Sequence, residues 1–280
     1  MDTDQGSVVL RRFSGCLHGA TLLTLHCDSR RPGEPFGTDV VKQLAADGLL
    51  GHVLWSTACT PRDVLAGGFQ VLRENGLFLA RVDLSGVPGD PGRLRELIAA
   101  VQLLRRLGIL VEYELDLFAG APRFSGVRDK IAMMRYVVAD GTVPAMFTTG
   151  PIEGPCSPWL DGYRRQLAIA VEPWIGPGGL AGQLAQAWAE IVVAERLMLA
   201  LSGVAAHRIA LQRLTLRTNT VLLDLVSAGA REYETTGGTR LLDDDLILPV
   251  AEPLAARMIA LRNNFLQVNG PALRADGSIR

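Results

Sequence analysis

The sequence predicts an α/β fold: a partial (half) βα barrel of about five parallel strands, followed by an α-helical C-terminal region. Two observations predict it. Between residues 20 and 150, short apolar runs alternate with helical patterns about every 30 residues, as parallel strands joined by helical crossovers require. From Leu180 onward, apolar residues recur with helical spacing alone. Because a complete βα barrel needs eight strands, we expect a laterally open half barrel.

The predicted strands are short runs of apolar, β-compatible residues bounded by turn residues. The first of them reads TLLTLHC. They are Thr21–Cys27, His52–Trp55, Leu77–Leu84, Ile109–Phe118 and Val143–Thr148.

Helices are predicted between these strands, and most of them have recognisable ends. Thr60, followed by Pro61, is a typical start for the second helix, and Asn75–Gly76 ends it. Asp90 caps the third helix, and Gly108 ends it. The predicted helices cover residues 39–46, 61–74, 91–107 and 124–138.

Four parts are predicted along the chain. Residues 1–19 form an N-terminal arm, residues 20–150 the partial barrel, residues 151–179 a Pro/Gly-rich connection and residues 180–280 a helical region. In the last part, helical periodicity covers Leu180–Leu201, Val204–Ala228 and Pro249–Leu266.

Composition narrows the class of protein. The chain has 280 residues, of which 48% are hydrophobic and 20% charged, a composition typical of globular proteins. Its net charge of −1 argues against nucleic-acid binding. No signal-like segment is present, and apolar stretches such as Ile191–Leu201 are interrupted by charges and too short to span a bilayer. We therefore expect a cytoplasmic protein that binds neither nucleic acid nor membrane.

The four cysteines do not have the spacing of metal ligands. Cys16, Cys27, Cys59 and Cys156 form no CxxC or CxxxC pair. In a reducing compartment, scattered thiols of this kind are typically small, buried, apolar residues. No metal site is predicted.

Charged residues occupy one face of several predicted strands, because strand side chains alternate between two faces. The crossover helices must cover the apolar face, so we expect the charges in the concave lumen, where Arg81 pairs with Glu112 or Glu114. The lumen is then a ligand cavity, a structural ion-pair network or a face closed by another protein. The candidate ligand-binding residues are His26, Asp28, Arg81, Asp83, Glu112, Glu114 and Asp116.

No self-contained catalytic motif accompanies these charges. The sequence contains no GxSxG elbow, P-loop, GxGxxG or HExxH motif. The carboxylates, with a base such as His26, have the chemistry for acid–base work, but no activated nucleophile stands beside them. We therefore assign no catalytic residue.

Three segments share the order and pattern of a known family. They are Gly76–Leu84 (GLFLARVDL), Leu103–Phe118 (LLRRLGILVEYELDLF) and Phe124–Phe147 (FSGVRDKIAMMRYVVADGTVPAMF). This order resembles the later βα units of radical SAM enzymes, above all the cobalamin-dependent branch. There, a strand with a glycine turn precedes a helix of pattern F-x-x-V-x-x-x-x-x-x-M-R and then DG-x-x-PA-x-F. The resemblance covers residues 20–170 and extends into the helical tail.

The chain departs from this family at its cofactor sites. Radical SAM enzymes bind a [4Fe–4S] cluster through a CxxxCxxC loop, and this sequence has no such triplet. We also expect the chain to lack the preceding cobalamin-binding domain. Without a cluster there is no electron source for reductive cleavage of SAM. The resemblance therefore implies that this chain binds no cofactor itself.

The resemblance implies a non-catalytic partner subunit, a pseudoenzyme that forms a hetero-oligomer with a cobalamin-dependent radical SAM enzyme. That enzyme would carry the [4Fe–4S] cluster, SAM and cobalamin, and a methyltransferase of natural-product biosynthesis fits best. Two alternatives stay open. The chain can be a stand-alone enzyme, or a small-molecule binding protein, that uses the polar lumen.

Overall fold

The computed structural model describes a central α/β part and several helices. The predicted helix at 39–46 and the candidate residue Asp28 lie outside the described residues. The residues that the structure describes are 8–12, 21–27, 53–121, 123–140, 146–152, 154–175, 179–180, 183–184, 187–188, 191, 204–237, 252–261, 263–264 and 267.

Six strands form one sheet, in which strands adjacent in sequence are also adjacent in space. β1 is antiparallel to β2, and each later strand is parallel to the one before it. The register between β3 and β4 shifts at Trp55 and Ser56. The strands are β1 (Val8–Arg12), β2 (Thr21–Cys27), β3 (Val53–Cys59), β4 (Leu77–Asp83), β5 (Leu110–Asp116) and β6 (Met146–Thr148).

The prediction of a partial barrel of about five parallel strands is wrong. β2 to β6 are parallel, but β3, β4 and β5 form the centre of a sheet that stays open, with the antiparallel β1 at one edge and the three-residue β6 at the other. Barrel geometry requires a common tilt and a progressive stagger of all strands. Periodicity in the sequence identifies strands and helices but does not encode that stagger, so it could not distinguish an open mixed sheet from part of a barrel.

Helices connect the parallel strands. α1 (Pro61–Leu65) and α2 (Phe69–Glu74) follow β3, α3 (Pro91–Arg106) follows β4, and α4 (Phe124–Asp140) follows β5. The structure divides the single helix predicted at 61–74 in two. Gly67 and Gly68 separate the halves with φ angles of 102° and 88°, a backbone region that glycine adopts without steric cost.

Two predicted helix starts depend on side-chain caps. At α1, the Thr60 hydroxyl accepts a hydrogen bond from the Asp63 N–H, and the Asp63 carboxylate accepts one from the Thr60 N–H at 2.7 Å. This reciprocal capping box satisfies two backbone donors that the first helical turn leaves unpaired. At α3, Asp90 accepts from the N–H groups of Gly92 and Arg93.

The core lies between the apolar face of the sheet and α3 and α4. Tyr113 of β5 belongs to this layer, and its hydroxyl donates a hydrogen bond to Asp140 at the end of α4. The same carboxylate accepts from both terminal nitrogens of Arg105, at 3.0 and 2.9 Å. One carboxylate thus joins β5, α3 and α4. The core cluster includes Val82, Leu84, Leu97, Leu104, Val111, Leu115, Val127 and Met134.

Two long helices follow the sheet. α5 (Pro158–Ile175) lies within residues 151–179, the predicted Pro/Gly-rich connection, and α6 (Val204–Thr236) continues past the predicted end at Ala228. Ring centroids of Trp159 and Tyr163 lie 5.1 and 5.3 Å from that of Tyr233, which packs α5 against α6. Across the parts of the chain that are described, no helix is long and apolar enough to cross a membrane.

Candidate functional site

The charged residues of β4 and β5 lie opposite one another in register. Arg81 is paired with Glu112 and Asp83 with Glu114, so all four belong to one face of the sheet. The Arg81 Nε donates a hydrogen bond to Oε2 of Glu112 at 2.8 Å. The side chain of Arg81 is 23% exposed and that of Glu112 1% exposed. This face therefore contains a buried carboxylate that is paired with a partly exposed arginine.

Glu112 is only partly satisfied by this ion pair. Its second oxygen, Oε1, is buried and has no hydrogen-bond partner among the residues that the structure describes. Burial raises the pKa of Glu112 because it disfavours the charged form, and the negative charge of Glu114 raises it further, while Arg81 opposes both. A buried oxygen of this kind costs free energy unless it is protonated or a donor reaches it.

The pKa of Arg81 is also raised, but for a different reason. Burial acts to lower its pKa, but the charge and the hydrogen bond of Glu112, together with the charge of Glu114, outweigh burial and raise the pKa. Arg81 therefore stays protonated. Within the described structure its hydrogen bonding uses Nε alone, so the two terminal nitrogens are available to other acceptors.

Asp83 and Asp116 are the last residues of their strands, and their carboxylates accept hydrogen bonds from nearby backbone N–H groups and hydroxyls. Asp83 accepts hydrogen bonds from the N–H and the hydroxyl of Ser85, at 2.8 and 2.9 Å. Asp116 accepts four: Oδ1 from the N–H groups of Phe118 and Ala119, and Oδ2 from the Thr148 hydroxyl and the Gly150 N–H, all at 2.8 to 2.9 Å.

The four hydrogen bonds make Asp116 a fixed anion. Its burial acts to raise the pKa, but the bonds from Phe118, Ala119, Thr148 and Gly150 outweigh burial and lower it. They also tie the end of β5 to the end of β6 and the turn after it. Asp116 therefore holds the sheet together at its carboxyl edge and has no lone pair free for a ligand.

Lys130 of α4 is a charged residue at this edge that the sequence analysis did not identify. Its Nζ donates to the carbonyl oxygens of Asp116 at 3.0 Å and Ser85 at 3.4 Å. Burial lowers its pKa, against the charges of Asp116 and Asp83. The sequence pattern indicates that Lys130 is buried, because it lies three residues after Val127 and four before Met134, on the buried side of the helix.

The structure brings five of the seven candidate residues together. Arg81, Glu112 and Glu114 lie at the centre of the face, and Asp83 and Asp116 mark its carboxyl edge. His26 lies in β2, opposite Val9 of β1, and its side chain is not among those described. Asp28 lies outside the described residues.

The arrangement fixes the carboxylates of Asp83 and Asp116 in position. Asp83 and Asp116 are occupied by local donors, so neither is free to take a proton from a substrate without losing hydrogen bonds. Among the described residues, no three His, Cys, Asp or Glu side chains are grouped as a metal ion requires. The Glu112 oxygen and the Arg81 terminal nitrogens remain for a polar ligand.

Comparison with known proteins gave no match: no family model fits the sequence, and no curated protein or solved structure is similar to the chain.

Proposed function

We propose that this chain is a non-catalytic partner subunit of a cobalamin-dependent radical SAM enzyme, with a methyltransferase of natural-product biosynthesis as the best fit. The three segments that resemble the family run from the start of β4 to β6. The sequence carries no CxxxCxxC triplet, so the partner enzyme would supply the [4Fe–4S] cluster, SAM and cobalamin.

The observation that carries the proposal is the engagement of the charged residues of β4 and β5. Asp116 accepts four hydrogen bonds, Asp83 accepts hydrogen bonds from Ser85, and Arg81 pairs with Glu112. Carboxylates that are occupied by backbone donors, hydroxyls and an arginine favour a structural role over acid–base catalysis. Within the described part of the chain, β1 and β6 are the outer strands of an open sheet, and outer strands are surfaces that a second protein can cover.

The test is reconstitution. The chain is co-expressed with a cobalamin-dependent radical SAM enzyme of the same organism, and the complex is isolated by size-exclusion chromatography. SAM cleavage and methyl transfer by the enzyme are then measured with and without the chain. We expect a stable complex and a faster or longer-lived reaction when the chain is present. An enzyme that is soluble and fully active alone, and that forms no complex with the chain, contradicts the proposal.

A second candidate function is small-molecule binding, favoured by the unpartnered Oε1 of Glu112. A ligand with a hydroxyl or amine donor would satisfy that oxygen, and an acceptor on the same ligand could meet the terminal nitrogens of Arg81. Thermal-shift measurements with a panel of amino, hydroxyl and carboxyl compounds test this. A compound that stabilises the wild type and the surface variant Glu96→Gln, but not Glu112→Gln, would support binding at this face.

A further inference from the structure

The N-terminal part of α6, Val204–Leu223, has an unusual distribution of charge. From Val204 to Leu223 the helix contains three arginines and no acidic residue, although the chain as a whole has a net charge of −1. Arg208, Arg213 and Arg217 are all exposed. In the described structure no carboxylate forms an ion pair with Arg213 or Arg217. Among the described residues, Arg213 and Arg217 therefore carry positive charge that no carboxylate pairs.

Two large apolar side chains lie within the same surface. Ile209 is 49% exposed and Leu216 is 46% exposed. They are seven residues apart, which places them two turns apart and within about 20° of each other around the helix. By the same geometry, Arg213 and Arg217 lie about 40° and 80° to one side of Ile209, and Arg208 lies about 100° to the other.

The result is an apolar line flanked by arginines, which we call the α6 outer stripe (Arg208, Ile209, Arg213, Leu216 and Arg217). The opposite face of the helix already serves the core, where Leu211, Leu214 and Leu222 are buried. The outer stripe is therefore not needed to pack the described structure. Exposed apolar residues set among like charges are typical of an interaction surface.

We infer that the α6 outer stripe binds an acidic, amphipathic helix of a partner protein. Apolar residues spaced by seven match the anchor spacing of helix-to-helix contacts, and flanking arginines fit glutamate or aspartate beside the partner's apolar seam. All three flanking cations are arginines, the basic residue that protein interfaces favour. The inference rests on the proposed function, because it assigns to that partner subunit the surface used for docking.

Other occupants fit the stripe less well. Nucleic acid is disfavoured because the chain is not basic overall and the stripe holds only three cations. A membrane surface is disfavoured because the stripe contains no aromatic residue to anchor at the lipid interface and no lysine.

The first experiment uses the complex with the radical SAM enzyme. The double variant Arg213→Glu/Arg217→Glu and the single variant Leu216→Asp are compared with two matched controls: Arg231→Glu on the same helix and Ile169→Asp, whose side chain on α5 is 60% exposed. We expect each stripe variant to weaken the complex at least about tenfold, and the controls to leave it unchanged. Circular dichroism verifies that every variant keeps the helical content of the wild type.

The second experiment does not depend on that enzyme. A synthetic helical peptide with a leucine seam flanked by glutamates is titrated with the full chain by fluorescence anisotropy. Its counterpart with lysines in place of the glutamates, a DNA duplex and vesicles containing an anionic lipid are titrated in parallel. We expect the glutamate peptide alone to bind, less tightly as salt is raised, and with the same loss in the stripe variants.

The outcomes separate this inference from the proposed function. A complex with the radical SAM enzyme that survives both stripe variants overturns the inference and leaves the proposed function standing. Binding of the glutamate peptide through the stripe, without any complex with the enzyme, supports the surface and counts against the proposed function. Preferential binding of DNA or vesicles, or self-association of the chain that the stripe variants abolish, overturns the acidic-helix assignment.

Discussion

Arg81 donates to one oxygen of Glu112 across the β4–β5 pair at 2.8 Å, while the other oxygen of the same carboxylate is buried and meets no donor among the described residues. The pair is thus asymmetric: in the described part of the chain Arg81 is the counter-charge within hydrogen-bond distance of Glu112, whereas Arg81 is also stabilised in its charged form by Glu114. Removing the arginine leaves the buried carboxylate without its counter-charge. An unpaired buried charge lowers the free energy of unfolding strongly.

The variant Arg81→Ala should lower the free energy of unfolding by about 3 kcal/mol at mildly alkaline pH, and by less near pH 5. The pKa of Glu112 is raised in the folded state above its ordinary value of 4.5. Its contribution to stability is therefore present below that value and is lost as the pH rises through the folded pKa. Without Arg81 the pKa rises further, so the loss is larger. Urea unfolding across pH measures it.

The control for this prediction is Arg62→Ala. Arg62 pairs with Glu96 on the surface, where its side chain is 69% exposed, so the expected change is below about 0.5 kcal/mol at any pH. An Arg81→Ala cost that is the same near pH 5 and at alkaline pH would show that Glu112 does not titrate as described.

The variant Asp116→Asn should destabilise the fold by about 2 kcal/mol at neutral pH. An amide group must place its NH₂ against two of the donors that now share the carboxylate, those of Phe118 and Ala119 or those of Thr148 and Gly150. Urea unfolding measures the cost, with the exposed Asp224→Asn on α6 as the matched control.

The pH dependence of Asp116 has the opposite sign to that of Glu112. Its folded pKa is lowered from the ordinary 3.8, so its stabilisation is present above that value and is lost as the pH falls through the folded pKa. The wild type should therefore lose stability more steeply than Asp116→Asn below about pH 4. Parallel acid-unfolding curves for the two proteins would argue against the four hydrogen bonds.

The variant Asp140→Ala should cost more than Tyr113→Phe, by about 2 kcal/mol against about 1 kcal/mol. Burial and the neighbouring Asp140 raise the pKa of Tyr113, so its hydroxyl stays protonated and needs an acceptor. Losing the Asp140 side chain leaves that hydroxyl without its acceptor and Arg105 with only its bond to the carbonyl oxygen of residue 140, whereas losing the hydroxyl leaves the Arg105–Asp140 ion pair intact. Equal losses of unfolding free energy in the two variants would contradict this dependence.

The positions of the strands could be predicted from the sequence because apolar runs of the right length are a local signal. The run Thr21–Cys27 coincides with β2, and Leu77–Leu84 differs from β4 by one residue. The pairing of Arg81 with one of the two glutamates also follows from local pattern, since side chains on one face of adjacent parallel strands meet. Periodicity and alternation are enough for such features.

The arrangement of the sheet and the state of the candidate residues could not be predicted in the same way. β1 lies in a segment that reads as a loose arm, and its antiparallel pairing with β2 depends on a contact that periodicity does not encode. The saturation of Asp116 comes from Thr148 and Gly150, more than 30 residues away in the chain. The sequence shows a carboxylate at that position but not the donors that occupy it.

The close approach of α5 to α6 gives the last prediction. A methyl group added at Gly162 would lie 2.6 Å from the hydroxyl oxygen of Tyr233. That ring is held between Trp159 and Tyr163, with centroids at 5.1 and 5.3 Å, and cannot turn away freely. Gly162→Ala should therefore destabilise the protein by about 1–2 kcal/mol, although alanine is favoured over glycine within helices by about 1 kcal/mol.

Removing the hydroxyl should reverse the sign of that effect. In Tyr233→Phe the added methyl would meet the ring carbon at 3.8 Å, an ordinary contact, so the helix propensity of alanine is then gained without a clash. A double-mutant cycle by urea unfolding should give a coupling of about 2 kcal/mol between the two positions. If Gly162→Ala costs the same with Tyr233 and with phenylalanine, the two helices do not pack through this contact, because only a shared clash can make the loss depend on a hydroxyl on the other helix.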